Sequence, residues 1–215
     1  MISFACSEDE QSLLDTLGRF AQNQVISDAR AADRRQSVDP AVRAAYRDMG
    51  AHLLGLPESA GGMGFGLSAK ILAEEVLSRS DAAQAVGLDD LGFAAQAVVA
   101  LGSPEQITRW LDDTDRVWAF ASTEADPAAH LGWMATTARR EGGAFVLNGA
   151  KLCVFNADRA DRLVVLARTA DGEGLAGIEA FVVETKAPGV QISLEDRMGL
   201  RAGRPCRVQL EGAAG

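Results

Sequence analysis

The stretch Trp118-Ala119-Phe120-Ala121-Ser122-Thr123-Glu124 marks the point at which the sequence changes character. Its first residues form a short apolar run typical of a first β-strand, and polar residues end that run. Amphipathic helical patterns precede it, whereas short β-type runs separated by turn residues follow it. We therefore predict an α+β fold with an N-terminal all-α helical domain at residues 1–116 and an antiparallel β-domain at residues 117–215.

Start and stop signals place helices in the first half of the chain. Ser7-Glu8-Asp9-Glu10 is a capping box and predicts a helix that begins after Ser7. Asp39-Pro40 predicts a second helix, which Gly50 ends. An alanine-rich stretch at 82–101 favours one long packed helix, and Ser103-Pro104-Glu105-Gln106 predicts a further helix start.

Short β-type runs and turn residues alternate through the second half. The predicted strands lie at 117–121, 144–147, 152–155, 163–167, 180–183 and 190–194. Turn compositions separate them, for example Glu141-Gly142-Gly143 and Pro188-Gly189. Asn148-Gly149 is the strongest hairpin signal, because both residues tolerate the positive φ of a type I′ turn.

Composition excludes several classes of protein. The 215 residues are 47% hydrophobic and 24% charged, which is typical of a folded globular chain. A net charge of -9 disfavours a nucleic-acid partner. We found no apolar run long enough for a membrane span and no signal peptide, so we expect a cytoplasmic protein. With 2 His and 3 Cys that lack CxxC spacing, we expect neither a metal site nor a disulfide framework.

The segment Gly64-Phe65-Gly66-Leu67-Ser68-Ala69 formally matches a dinucleotide-binding fingerprint. That fingerprint binds a pyrophosphate only between the strand and the helix of a βαβ unit. Here the segment lies in a region of helical patterns, so we interpret it as a tight loop.

The order of segments along the chain resembles the acyl-CoA dehydrogenase family, from about Ser3 to the last residue. Each segment is a weak signal alone, whereas their co-linear order is specific. The segments are Leu56-Pro57-Glu58 before Gly61-Gly62-x-Gly64, residues 73–81, Gly102-x-Pro104-Glu105-Gln106, residues 119–124, Thr136-Thr137-Ala138, Leu147-Asn148-Gly149-x-Lys151, Asn156-Ala157, residues 177–183, Pro188-Gly189-Val190 and Gly199-Leu200-Arg201.

The resemblance implies a helical domain, a β-barrel-like middle domain and FAD bound against the latter. It further implies α,β-dehydrogenation of an acyl thioester such as an acyl-CoA, by proton abstraction and hydride transfer to flavin N5. The base in the family comes from a C-terminal helical domain beyond these residues, so we expect no catalytic residue in this chain and no activity from it alone. An electron-transfer flavoprotein and homo- or hetero-oligomers with similar chains are the implied partners.

Carried over from the family, Phe120, Ser122 and Thr123 are the expected flavin neighbours at the end of the first strand. The Thr123 hydroxyl and nearby main-chain amides are the expected hydrogen-bond donors. Glu124 belongs to the family's Thr-Glu pair, but it does not correspond to the catalytic base.

Three further positions depart from the family pattern. Ala129 stands where a serine would contact substrate or cofactor, so we assign it to the substrate site. Cys153 replaces an aromatic ring that covers the flavin, and Phe155 replaces a hydroxyl; both are retained as cofactor-binding candidates. Because the segment from Cys153 to Ala157 offers no His or cationic neighbour, we interpret Cys153 as a buried structural cysteine.

These departures leave two alternatives to an active dehydrogenase. One is a non-catalytic or half-active subunit that pairs with a competent homologue. The other is a flavin-dependent monooxygenase with the same fold.

Overall fold

The computed structural model describes residues 6–125, 131–169 and 174–215. Contacts divide the chain into two compact units. The helical unit runs to Asp89 and includes Met198–Gly203, and the sheet unit contains Asp90–Arg197 and Arg204–Gly215. The contacts thus divide at Asp89, whereas the change from helix to strand falls near the predicted 116/117 boundary.

The described helical unit contains helices α1 (Glu8–Phe20), α2 (Ile26–Arg35), α3 (Pro40–Asp48) and α4 (Leu67–Leu88). The capping box before α1 is confirmed, because the Glu10 amide donates to Ser7 Oγ at 3.2 Å and the Ser7 amide donates to Glu10 Oε2 at 2.7 Å. Asp39 accepts from the Ala41 amide at 2.8 Å and begins α3, as predicted. Gly50 follows α3 with a left-handed φ of 69°. Apolar residues of α1, α3 and α4 meet in one core.

The predicted long helix over 82–101 is wrong. Helix α4 ends at Leu88 and α5 begins at Gly92. Helix α4 is also kinked at Asp81, whose carboxylate accepts from the Ala83 amide at 2.8 Å. The break itself lies at 89–91, where Asp89 pairs with Lys70 Nζ at 2.8 Å and the Asp90 carbonyl accepts from the Trp118 amide at 2.7 Å, so alanine propensity does not decide this region. The fingerprint-like segment at 64–69 runs from a loop into α4, in accord with its interpretation as a tight loop.

The described sheet unit contains two α-helices and one seven-stranded sheet. Its elements are α5 (Gly92–Leu101), α6 (Pro104–Trp110), β1 (Trp118–Ala121), β2 (Thr137–Glu141), β3 (Ala144–Phe155), β4 (Arg162–Arg168), β5 (Ile178–Glu184), β6 (Val190–Leu194) and β7 (Pro205–Ala214). The strand order is β1-β4-β2-β3-β7-β6, and β5 pairs with β4. The predicted α+β fold is thus confirmed.

The sheet is mixed rather than purely antiparallel, which corrects the prediction. Strand β1 pairs with β4 in parallel, with Trp118 opposite Arg162 and Ala121 opposite Val165. A parallel pair requires a long connection between its strands. Residues 122–161 provide this connection, and they carry the antiparallel hairpin of β2 and β3.

The hairpin predicted at Asn148-Gly149 is also wrong, because both residues lie inside β3. The turn between β2 and β3 is Gly142-Gly143, with φ values of 57° and 96°, between the paired residues Glu141 and Ala144. Asn148 Oδ1 instead accepts from the amide of Gly212 at 2.9 Å, at a bulge in β7. Within the residues described, no helix is long and apolar enough to cross a membrane.

Candidate functional site

A β-bulge near the end of β3 organises the candidate site. Lys151 pairs with Val208 and Val154 pairs with Cys206, so Leu152 and Cys153 together face one residue of β7. Their amides bond outside the β3–β7 ladder. Bulges of this kind redirect side chains and often lie beside functional sites.

Both bulge amides have partners in neighbouring segments. The Leu152 amide donates to the carbonyl of Thr123 at 2.9 Å, directly after β1. The Cys153 amide donates to Glu195 Oε2 at 3.1 Å, and Cys153 itself has a left-handed φ of 53°. The bulge therefore brings the predicted residues at 122–123 next to the predicted residue at 153.

The aromatic candidates point away from the sheet core. Ala119 and Ala121 belong to that core, so Phe120 between them faces the opposite side of β1. Val154 is likewise a core residue, and Phe155 next to it lies on the other face of β3. Both rings are half-buried.

The two hydroxyl candidates lie at the end of β1. Ser122 is half-buried and Thr123 is exposed. Among the described residues, neither side-chain hydroxyl forms a hydrogen bond. They are therefore available to a ligand as donors or acceptors. This donor set fits the carbonyl oxygens and ring nitrogens of a flavin. The predicted substrate residue Ala129 lies outside the described residues.

A buried ion pair holds the residues that follow β1. Lys151 Nζ lies 2.8 Å from Glu124 Oε1, and their side chains are 0% and 12% exposed. The same carboxylate accepts from the amides of Ala135 at 2.6 Å and Thr136 at 2.9 Å. Lys151 Nζ also lies 3.4 Å from the carbonyl oxygen of Ser122.

The pKa values of this pair shift for different reasons. Burial works to raise the pKa of Glu124, but hydrogen bonds from Lys151 and from the loop at 135–136 outweigh it, so this pKa is lowered. Burial lowers the pKa of Lys151, and Glu124 only partly offsets that effect. The charge of the Glu124 carboxylate is therefore stabilised by Lys151 and by two main-chain amides together.

No local pattern in the sequence predicts this ion pair, because Glu124 and Lys151 lie 27 positions apart. The one local signal was a lysine inside an apolar strand run, which requires a buried partner when the strand is central.

Cys153 is half-buried, so its interpretation as a buried cysteine is wrong. A cationic group also lies near it, from outside its own segment. The pKa of Arg197 is raised, first by its hydrogen bond to Glu195 and then by the thiol of Cys153. The reason for the error is the bulge, which turns Cys153 out of the ladder.

Cys206 is the buried cysteine, and its reactivity is predictable. Burial and then the charge of Asp158 raise its pKa to about 12. Because the thiolate is the nucleophile, we expect native protein at pH 8 to leave Cys206 unmodified by iodoacetamide, with full labelling after unfolding. Mass spectrometry of the labelled peptides measures this, with half-buried Cys6 and Cys153 as internal comparisons. Rapid native labelling of Cys206 would contradict the prediction.

Comparison with solved structures defines the class of protein. An electron transferring flavoprotein structure from Acidaminococcus fermentans superposes with a TM-score of 0.86 and 29% identity, over 99% of this chain and 57% of that one. A glutaryl-CoA dehydrogenase of Mycobacterium smegmatis in complex with FADH2 gives a TM-score of 0.83 and 25% identity, over 97% and 54%. The fold is that of the acyl-CoA dehydrogenases.

The sequence then assigns the family. Residues 7–117 match the acyl-CoA dehydrogenase N-terminal domain, and residues 119–213 match the acyl-CoA dehydrogenase middle domain. The chain belongs to the acyl-CoA dehydrogenase family, which confirms the predicted resemblance. An acyl-CoA dehydrogenase of Bacillus subtilis is 32% identical over 87% of this chain and 51% of its own length. The chain thus spans about half the length of the curated relatives it matches.

Proposed function

We propose that the natural protein containing this chain is an FAD-dependent oxidoreductase that oxidises an acyl thioester to its α,β-unsaturated product. The observation that carries this proposal is the pair of hydroxyls of Ser122 and Thr123, which have no hydrogen-bond partner among the described residues and are held beside the β3 bulge in a chain of this family. The relative bound to FADH2 and the relatives named as acyl-CoA dehydrogenases support it. FAD supplies the acceptor for the hydride, and a base outside these residues takes the proton.

We assign the contacts with FAD to five residues. The Ser122 and Thr123 hydroxyls are its side-chain hydrogen-bond donors, and the Phe120 ring supplies apolar contact. Cys153 and Phe155 lie on the β3 side of the same site. Because a phenyl group cannot donate a hydrogen bond, Phe155 leaves the side-chain donation to the two hydroxyls.

The substrate and partners follow from the same proposal. An acyl-CoA carries phosphates, and the net charge of -9 means that the overall field of the chain does not attract it. Local arginines and main-chain amides must therefore hold the phosphates, and Ala129 lies on the substrate side of the flavin. An electron-transfer flavoprotein is the proposed acceptor, and other acyl-CoA dehydrogenase-like chains are the proposed oligomer partners.

The test combines flavin content with one variant of the natural protein. The purified wild type should show bound-flavin absorption and form an enoyl thioester from an acyl-CoA with an artificial acceptor. Thr123→Val should weaken FAD binding about three- to tenfold, because one neutral hydrogen bond is lost. Thermal stability should remain that of the wild type, since this hydroxyl has no partner among the described residues.

Thr108→Val is the matched control, because the Thr108 hydroxyl donates to the Pro104 carbonyl within α6. It should not alter FAD binding. Wild-type protein that cannot be loaded with FAD would refute the proposal. Activity only in the presence of a second homologous chain would indicate the partner-subunit alternative, and oxygen consumption without enoyl product would indicate the monooxygenase.

A further inference from the structure

Contacts with β3 hold each of the three residues from Ser122 to Glu124, which follow β1. The Ser122 carbonyl faces Lys151 Nζ, the Thr123 carbonyl accepts from the Leu152 amide, and the Glu124 carboxylate binds Lys151. Every anchor comes from β3 at or next to its bulge. The backbone of 122–124 is thus fixed, while the hydroxyls of Ser122 and Thr123 bond to no other residue in the described part of the chain.

The Glu124 carboxylate also binds the segment that precedes β2. Glu124 also accepts from the amides of Ala135 and Thr136, immediately before β2. One side chain therefore joins the end of β1, the bulge of β3 and the start of β2.

Net stability alone is a weak reason for such a pair. Removing two charges from water costs as much as their attraction returns, and apolar replacements of buried pairs are often equally stable. A buried ion pair with several hydrogen-bond donors fixes the positions of its residues more closely than an apolar contact does. Precise placement of first-contact donors is also what a cofactor site requires.

We propose that Glu124 and Lys151 are positioning residues that hold the Ser122 and Thr123 hydroxyls in the geometry required by the flavin. This inference rests on the proposed function and adds to it a determinant that does not itself touch the cofactor. The expected consequence is that the pair controls both the affinity for FAD and the electronic environment of the bound flavin.

The test removes both charges together in the natural protein. The double variant Glu124→Gln/Lys151→Met leaves neither charge buried alone. We expect it to bind FAD about tenfold more weakly or worse, the scale seen when outer partners of a site are lost. The flavin absorption maxima and midpoint potential should shift as well, which a general loss of stability does not produce.

The matched control is another ion pair of the same unit. Arg162 Nε lies 3.0 Å from Glu184 Oε1, between β4 and β5, and the Arg162 side chain is 8% exposed. Arg162→Met/Glu184→Gln should lower the melting temperature without changing the flavin spectrum or potential. A flavin-loaded Glu124→Gln/Lys151→Met protein with wild-type affinity, spectrum and potential would overturn the inference.

A second measurement requires no variant. In the wild-type protein, the amides of Ala135, Thr136 and Leu152 should exchange with deuterium as slowly as amides of the β3–β7 ladder. Fast exchange at all three positions would overturn the positioning role even if FAD binds. A wild type that takes up no flavin would refute the proposed function instead, so the two failures are distinguishable.

Discussion

Glu124→Gln is expected to lower the free energy of unfolding by about 3 kcal/mol at neutral pH, the scale at which a buried pair loses one partner. The reason is Lys151, whose side chain is 0% exposed and would retain its charge beside a neutral amide. The glutamine oxygen can still accept a hydrogen bond from one of the main-chain amides. The loss of stability therefore comes from the uncompensated charge of Lys151. Adding Lys151→Met should therefore recover part of the lost stability.

The pH dependence of this loss has a definite sign. Burial already lowers the pKa of Lys151, and without Glu124 the two effects that raise it are gone. A lysine whose folded pKa lies below the unfolded value releases its proton first in the folded state, so stability rises with pH across that interval. The deficit of Glu124→Gln should therefore shrink as the pH approaches the unfolded lysine pKa, about 10.4.

The acid side follows from Glu124 itself. Its folded pKa is lowered, so its contribution to stability is complete above the unfolded value of about 4.3 and is lost as the pH falls through the folded pKa. The difference between the wild type and Glu124→Gln should thus be largest near neutral pH and smaller at both extremes.

Tryptophan fluorescence isolates the relevant unit in a urea titration. The 3 tryptophans of the chain, Trp110, Trp118 and Trp133, all belong to the sheet unit, and the 1 tyrosine, Tyr46, belongs to the helical unit. The double variant Glu124→Gln/Lys151→Met is the control at each pH. A deficit that is constant from pH 4 to pH 10 would contradict the ionic explanation.

Local signals predicted the elements that depend on local bonds. The helix starts at Ser7, Asp39 and Ser103 were predicted from capping residues, and all three caps are present. A cap is a bond between residues two or three positions apart, so the sequence displays both partners together. Strands β1, β4, β5 and β6 were predicted for a similar reason, from continuous apolar runs. The prediction of two separate strands at 144–147 and 152–155 is wrong, because both segments belong to β3.

Elements that depend on distant partners were missed or misassigned. Strand β2 carries Arg139 and Arg140 on exposed positions, and β7 is interrupted by Gly212, so neither shows a continuous apolar run. The parallel pairing of β1 with β4 joins Ala119 to Leu163 and has no local signature. Asn148-Gly149 has turn composition, but its geometry is decided by β7 and by residue 136.

The residues of the candidate site also differ in whether the sequence alone could identify them. The identities of Ser122 and Thr123 as site residues came from the family resemblance, and the structure supplies the reason that their hydroxyls are available. The anchor formed by Glu124 and Lys151 joins the segment after β1 to β3, which lie 27 positions apart, so it became visible only in the folded structure. Sequence reasoning therefore indicates which groups can face a ligand more readily than what holds them.

Gly149→Ala is expected to destabilise the sheet unit by about 3 kcal/mol, from overpacking together with a strained backbone. Gly149 has a φ of 152°, and a Cβ at this position would lie 2.5 Å from Thr136 Oγ1 and 2.7 Å from Thr136 Cα. The second of these contacts is with backbone, so a change of rotamer cannot relieve it. Thr136 must move, and its amide is one of the donors to Glu124.

Gly143→Ala separates the two causes. Gly143 also has a positive φ, 96°, but a Cβ there would meet nothing within 4 Å. It should cost about 1 kcal/mol, the conformational part alone. Urea unfolding followed by tryptophan fluorescence gives the free energies of unfolding of the two variants. FAD titration of the folded variants gives their affinities for FAD.

Because the clash displaces a donor of the Glu124 carboxylate, Gly149→Ala should also weaken FAD binding, whereas Gly143→Ala should not. Equal destabilisation by the two variants would show that the close approach of Thr136 to β3 does not constrain this position. Wild-type FAD affinity in a destabilised Gly149→Ala protein would separate packing at residue 149 from the flavin site, and would confine the positioning role to the ion pair itself.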